Sequence, residues 1–167
     1  MHQAHSFRVV AWWSSGRTGI AKADSAPNAI HFTAPGSFGG IDGRWTPEDL
    51  LLGAIASCFT TTFRDVAERA KFEYVDLQIE VTGTVVGNDK GHGFAGVLIR
   101  ANLTVASPEN QQQAVELLEI ANTRCVVGRA LAIQQTFEPV VTIPTLACGM
   151  NGTCAVAEPA TKQFAPE

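Results

Sequence analysis

A long apolar segment without proline constrains the fold of this chain most strongly. It begins at Thr46-Pro47-Glu48-Asp49, which places a capping hydroxyl before a proline at the first helical position and carboxylates in the first turn. From Leu50 to Ala70 there is no proline, and residues 50–56 are apolar on nearly every side. Such a helix is buried inside a protein. The sequence therefore predicts a buried helix from Pro47 to about Ala70.

Segments typical of β-structure flank this helix. Before it, three short β-rich stretches predict an antiparallel meander, at residues 6–14, 20–23 and 29–33. After it, two alternating stretches joined by a glycine-containing turn predict a long hairpin, at residues 75–86 and 94–105.

A second helix follows the hairpin. Ser107-Pro108 provides its cap, and it is predicted to end between residues 123 and 128. A short helical stretch at 130–132 then precedes a final strand at 137–143. This segregated order of strands and helices predicts an α+β fold.

Composition limits the class of protein. The chain has 167 residues, 46% of them apolar, which suits one domain, predicted over residues 1–145. Residues 146–167 have the composition of a tail. A net charge of −4 with scattered Lys and Arg argues against nucleic acid as a partner. No signal-like start or apolar run of membrane-spanning length is evident, so we expect a cytoplasmic protein that does not enter a membrane.

Four cysteines are the candidate reactive groups. Cys58 lies within the apolar helix and Cys125 near the end of the second helix. Taken alone, each is typical of a small buried core residue, although Arg124 and Arg129 could lower the pKa of the Cys125 thiol. Cys148 and Cys154 bracket a five-residue loop, a spacing that suits a disulfide, half a metal site or two idle thiols. The single residues His31 and His92 are typical of structural or solvated histidines.

Several motifs, in order, resemble the family of organic hydroperoxide resistance proteins and osmotically inducible protein C (Ohr/OsmC). The match covers roughly residues 6–143 and is carried by the helix signature from Thr46 to Phe59, the loop Gly16-Arg17-Thr18-Gly19, Gly39-Gly40 and the segment Cys125 to Leu131. The chain departs from the family at Val126 and Gly128, where a proline and a serine are usual.

The resemblance implies a thiol peroxidase without a cofactor or a metal ion. Cys58 would attack an organic hydroperoxide and Cys125 would resolve the sulfenic acid as a disulfide, which an external dithiol, of lipoyl type or a small molecule, would reduce. Arg17 would stabilise the thiolate and Glu48 would orient Arg17. From the residues alone, Glu48 is equally a helix-start carboxylate and Arg17 a solvated turn residue.

The same resemblance implies the assembly and the substrate pocket. The fold expected is OsmC-like, with antiparallel strands around two main helices in an intertwined homodimer, and the apolar helix needs such a partner for full burial. An apolar pocket is expected from four residues that could equally be core or dimer contacts: Phe38, Trp45, Ile55 and Phe59.

Two other functions remain open at this point. The missing proline after Cys125 is compatible with a non-catalytic OsmC-like binding or structural dimer. A metal-binding redox sensor that uses Cys148 and Cys154 is the other alternative.

Overall fold

The computed structural model describes residues 4–89, 91–144, 146–148 and 154–156, with side chains described for residues 4–87, 89 and 91–144. The chain divides into two compact units, Met1–Gly53 and Ala54–Glu167. The strands are β1 Val9–Ser15, β2 Thr18–Ala23, β3 Ile30–Thr33, β4 Asp76–Asn88, β5 Gly91–Thr104, β6 Gln135–Thr142, β7 Leu146–Cys148 and β8 Cys154–Val156. The helices are α1 Pro47–Arg69, α2 Gln111–Arg124 and α3 Val126–Ala130.

The first unit contains the predicted meander. Its sheet has the order β1-β2-β3, with antiparallel pairing on both sides of β2. The Trp45 carbonyl accepts the Thr33 N–H at 2.9 Å, which ties the segment before α1 to the end of β3. Much of the unit's apolar surface is exposed, as with Phe7 at 92% and Trp13 at 73%.

The start of α1 confirms the predicted cap. Asp49 N–H donates to Thr46 Oγ1 at 3.1 Å, and Thr46 N–H donates to Asp49 Oδ2 at 2.9 Å. This reciprocal pair satisfies backbone groups that a helix start otherwise leaves open. The helix then runs from Pro47 to Arg69, as the absence of proline predicts, and crosses the division between the units.

The second unit contains the long hairpin and a parallel strand. β4 and β5 pair in antiparallel fashion over their whole length, and β6 lies on the other side of β5. β6 runs parallel to β5, whereas the sequence analysis expected antiparallel strands around the helices. The reason is that α2 and α3 connect β5 to β6, and such a crossover returns the chain in the same direction.

The core of the second unit lies between this sheet and the helices. Alternate residues of β5 are buried, from Val97 to Leu103, while α2 buries an apolar stripe that includes Leu117 and Leu118. α1 contributes Ile55, Phe59, Phe63, Val66 and Ala67. The Phe59 and Phe137 rings lie 5.5 Å apart, which packs α1 against β6.

One predicted boundary differs from the structure. The short helix occupies Val126–Ala130 and not residues 130–132, because Cys125 is extended and begins a new helix at once, while Leu131 is already extended. The predicted tail contains the antiparallel pair β7 and β8, in which Cys148 is the register partner of Cys154. The side chains of these two cysteines lie outside the described residues, so their predicted pairings stay predictions.

Among the described residues, α1 alone is long and apolar enough to cross a membrane by length and composition. A core helix of a water-soluble protein passes the same test, and one face of α1 is buried against its own chain.

Candidate functional site

Cys58 is presented by the middle of α1. It is half-buried and precedes Phe59, whose ring is fully buried against Phe137. The aromatic contact fixes the rotation of the helix at this point. The Cys58 sulfur is therefore held in a defined direction on the edge of the core.

Cys125 lies at the junction of two helices. Its N–H donates to Ala121 O at 2.9 Å and completes α2, while its carbonyl accepts the Arg129 N–H at 3.1 Å and begins α3. The residue itself is extended, with φ −60° and ψ 108°. Cys125 is only 2% exposed, so its thiol is a buried group.

The structure brings the two predicted cysteines together. Val127 N–H donates to Cys58 Sγ at 3.5 Å, and the Cys125 thiol also hydrogen-bonds to Cys58. Burial raises the pKa of Cys58, but hydrogen bonds from the Val127 N–H, the Cys125 thiol, the Thr62 hydroxyl and the Val126 N–H outweigh it. The pKa of Cys58 is therefore lowered, which favours the thiolate.

The second thiol is shifted in the opposite direction. Burial raises the pKa of Cys125, and the neighbouring Cys58 raises it further through its hydrogen bond and its charge. The N–H groups of Gly128 and Val127 oppose this without reversing it. Cys125 thus remains a protonated donor to Cys58, and the two sulfurs are chemically unequal.

A hydrogen bond from Gln135 of β6, called the Gln135 clamp below, holds α3 in place. Gln135 Nε2 donates to Gly128 O at 2.8 Å. A Cβ at Gly128 would lie 3.2 Å from Gln135 Oε1 and 3.5 Å from Cys125 Sγ. The glycine therefore makes room for both the glutamine amide and the thiol.

Arg17 belongs to the first unit, where it borders a cavity. Its carbonyl accepts the Ala34 N–H at 3.3 Å, and its Nε lies 3.4 Å from the position of a Cβ on Gly39. Gly39 has φ +77°, a backbone conformation that favours glycine, so the loop passes close beneath the guanidinium. The cavity of about 470 Å³ is lined by Ala11, Trp12, Trp13, Arg17, Thr18, Gly19, Phe32, Ala34 and Pro47.

Glu48 lies in the first turn of α1. Its Oε2 atom is buried and has no hydrogen-bond partner among the described residues. Within that same part of the chain, no ion pair joins Glu48 to Arg17, so the predicted orienting contact is not present in this structure. Arg17 and Glu48 lie in the first unit, whereas the two cysteines lie in the second.

Sequence reasoning missed several contributors to the site. Thr62 follows Cys58 by four residues, a spacing at which helical side chains meet, and this signal was available. The Val127 N–H is a backbone group and has no signature in the sequence. Of the four residues from which an apolar pocket was expected, Ile55 and Phe59 belong to the buried core, whereas Phe38 and Trp45 are exposed.

Across the described residues, no group of three or more His, Cys, Asp or Glu side chains is arranged to hold a metal ion. Cys58 and Cys125 are both free thiols.

The structure is that of an α+β protein with two adjacent thiols of unequal acidity. The sequence profile of the family described as OsmC-like protein matches residues 40–139. Since the match covers more than half of the chain, the protein belongs to the OsmC-like family. The chain is also 26% identical over 130 residues to the uncharacterised Bacillus subtilis protein YmaD, covering 76% of this chain and 87% of YmaD.

Solved structures share the fold. An OsmC-like protein of unknown function from Vibrio cholerae is 15% identical with a TM-score of 0.71, and the match covers 82% of this chain and 100% of that one. An organic hydroperoxide resistance protein from Elizabethkingia anophelis is 22% identical with a TM-score of 0.68, covering 86% and 99%. OhrB of Bacillus subtilis is 21% identical with a TM-score of 0.60, covering 83% and 98%.

We predict that Thr62→Val raises the pKa of Cys58, because it removes one hydrogen bond to the thiolate while keeping the side-chain shape. Below the pKa, alkylation of Cys58 by iodoacetamide should slow by up to about twofold, because the higher nucleophilicity of the less stabilised thiolate partly offsets its smaller population. The rate is measured against pH by mass spectrometry of the peptide that contains Cys58. Thr61→Val is the matched control, since its hydroxyl bonds to the helix carbonyls of Ser57 and Cys58. Identical pH midpoints in the two variants would contradict the role of Thr62.

Proposed function

We propose that this protein is a thiol peroxidase that reduces organic hydroperoxides to alcohols. The observation that carries the proposal is the unequal pair of thiols, one with a lowered and one with a raised pKa, in hydrogen-bond contact. A nucleophilic thiolate beside a protonated resolving thiol is what two-step peroxide reduction requires. Membership of the family, in which some relatives are named organic hydroperoxide resistance proteins, supports the same reaction.

The first step oxidises Cys58. Its thiolate attacks the distal oxygen of ROOH, the S–O bond forms as the O–O bond breaks, and the alkoxide leaves and takes a proton from water. The products are Cys58 sulfenic acid and ROH.

The second and third steps restore the thiols. Cys125 condenses with the sulfenic acid, forming the Cys58–Cys125 disulfide and releasing water. An external dithiol then reduces this disulfide by exchange and is itself oxidised. The contact between the two sulfurs supports resolution within one chain.

The Arg17 cavity supports an organic substrate. Its lining includes the apolar residues Trp12, Trp13 and Phe32 together with Arg17. Apolar walls favour burial of an alkyl tail, which hydrogen peroxide lacks. We therefore propose alkyl or fatty-acid hydroperoxides as the substrate class.

The roles of the two cysteines are separable. Cys58→Ser should abolish peroxide consumption, because no thiolate remains to attack. Cys125→Ser should allow one turnover and leave a sulfenic acid on Cys58 that excess peroxide oxidises further. Both are followed by mass spectrometry of the two cysteine peptides and by peroxide titration.

The control is a double variant of the other cysteines, Cys148→Ser with Cys154→Ser, which should retain the reaction. Loss of the first oxidation step in Cys125→Ser alone would reverse the assignment. Failure of the unmodified protein to lose two thiols per hydroperoxide would favour a non-catalytic binding dimer.

We further propose that Glu48 orients Arg17 toward the reacting thiol. Among the described residues, the buried Glu48 Oε2 has no hydrogen-bond partner, which supports this role, because such an oxygen needs a donor and a guanidinium can donate two parallel N–H bonds to a carboxylate. Arg17→Ala should then slow peroxide attack about tenfold by raising the pKa of Cys58, and Glu48→Ala should slow it less. The double variant should match Arg17→Ala, since the two residues act as one unit.

Single-turnover rates and the pH profile of Cys58 alkylation measure both effects. Arg8→Ala is the control, because Arg8 is an exposed arginine of the same unit that pairs with Asp24 at 3.2 Å. An unchanged pKa in Arg17→Ala would remove Arg17 from the site and make Arg44 or Arg129 the next candidates.

The active form is proposed to be an intertwined homodimer. Two observations support it: the first half of α1 is apolar on nearly every side but mostly half-buried, and much apolar surface of the first unit is exposed. Trp12, Trp13 and Trp45 are each more than 45% exposed.

Sizing with light scattering at micromolar concentration should therefore give twice the chain mass of 17.8 kDa. Phe7→Glu should weaken the dimer, because Phe7 is exposed within one chain and a carboxylate there would be buried at the interface. Glu73→Gln, an exposed polar change, is the control. A stable monomer of unmodified protein would refute the dimer.

We propose a cytoplasmic location, where thiols stay reduced.

A further inference from the structure

The first turn of α3 lies against the reacting sulfur. Val127 is the second residue of this helix, and its N–H donates to Cys58 Sγ at 3.5 Å. The opening N–H groups of a helix have no partner within the helix. Here one of them is directed at a thiol on a different helix, more than sixty residues away in sequence.

The position of this N–H is fixed from both sides. Before it, Cys125 completes α2 and begins α3 without an intervening loop. After it, Gly128 O accepts bonds from Gln135 Nε2 at 2.8 Å and from Leu131 N–H at 3.2 Å. The donor is therefore part of the fixed backbone and loses no side-chain freedom when it binds the sulfur.

We propose that the Val127 backbone amide is a catalytic hydrogen-bond donor, which touches the reacting sulfur and stabilises Cys58 as its thiolate. This role rests on the proposed function for its part in peroxide reduction, although its effect on the thiol itself is independent of peroxide. The amide carries no ionisable proton in the working range, so its contribution persists at every pH at which the protein is folded.

Electrostatics within the second unit favours this assignment. Among the described residues of this unit, the Cys125 thiol is the titratable group that hydrogen-bonds to Cys58. This thiol is itself buried. The Thr62 hydroxyl is the other side-chain donor, and the Val126 N–H acts beside the Val127 N–H. Neutral donors thus stabilise the thiolate, and among them the Val127 amide has the largest effect on the Cys58 pKa.

Removing this donor has two opposing effects on reactivity. A hydrogen bond of this kind corresponds to about a fivefold change in the thiolate population below the pKa. Thiolate nucleophilicity falls as the pKa falls, with a Brønsted slope of about 0.4–0.5, so the unbonded thiolate is about twofold more reactive. The net expectation is a reaction about two- to threefold slower below the pKa and about twofold faster above it.

The test replaces Val127 by its α-hydroxy acid, which converts the amide N–H into an ester oxygen and keeps the side chain. Iodoacetamide alkylation of Cys58 is followed against pH by mass spectrometry. The pH midpoint of alkylation should rise. The ester protein should react more slowly than the unmodified protein below the pKa and faster above it. A purely structural defect would instead slow the reaction on both sides of the midpoint.

The matched control is the same replacement at Leu131. It removes a hydrogen bond to Gly128 O from the other end of α3 without touching the sulfur. A midpoint at Val127 equal to that of the Leu131 ester would overturn the proposal.

A second variant separates the two neighbouring amide donors. Val126→Pro removes only the neighbouring N–H, and the backbone accepts it, because Cys125 is already extended and Val126 is the first helical residue. It should raise the midpoint less than the Val127 ester does. An equal or larger rise would assign the donor role to Val126 and refute the proposal for Val127.

The two hypotheses fail separately. A raised midpoint in a protein that consumes no hydroperoxide would retain the amide donor and refute the peroxidase. Peroxide consumption with an unshifted midpoint would retain the peroxidase and refute the amide donor.

Discussion

The contact between the Phe59 and Phe137 rings is the interaction on which the thiol pair depends. It holds α1 against β6, and Cys58 is the residue before Phe59. Gln135, two residues before Phe137, lies on the same face of β6 and binds Gly128 O in α3. One strand therefore positions both the middle of α1, which carries Cys58, and α3, which begins directly after Cys125. β6 is itself held by parallel pairing with β5, whose alternate residues are buried.

The unequal acidity of the thiols follows from this placement. Cys125 is more deeply buried than Cys58, and burial penalises the charged form of each. Only Cys58 receives enough donors to offset the penalty, one of them the Cys125 thiol itself. Each shift therefore reinforces the other, since a charged Cys58 keeps its neighbour protonated. The hydrogen bonds that lower the pKa of Cys58 come from neutral groups of the second unit.

The sequence predicted the features that local patterns encode. The capping residue Thr46, the helix from Pro47 and the long hairpin are confirmed because caps, absent prolines and alternation act over a few residues. The pairing of Cys58 with Cys125 came from the family resemblance, since spacing alone does not reveal a contact across the fold. The Val127 donor and the Gln135 clamp depend on the position of the α3 backbone, which has no local sequence pattern. The β7–β8 pair is formed by weakly patterned residues. None of these three features was predictable from the sequence.

The Gln135 clamp makes the reactivity of Cys58 depend on an intact fold. Amide and hydroxyl dipoles act over a single contact distance, unlike a net charge, whose influence spreads over several ångströms. If α3 opens locally, the Val126 and Val127 amides leave Cys58 and the pKa of its thiol rises. A partly unfolded copy would therefore carry a less reactive thiol, so that oxidation of Cys58 is favoured in intact molecules.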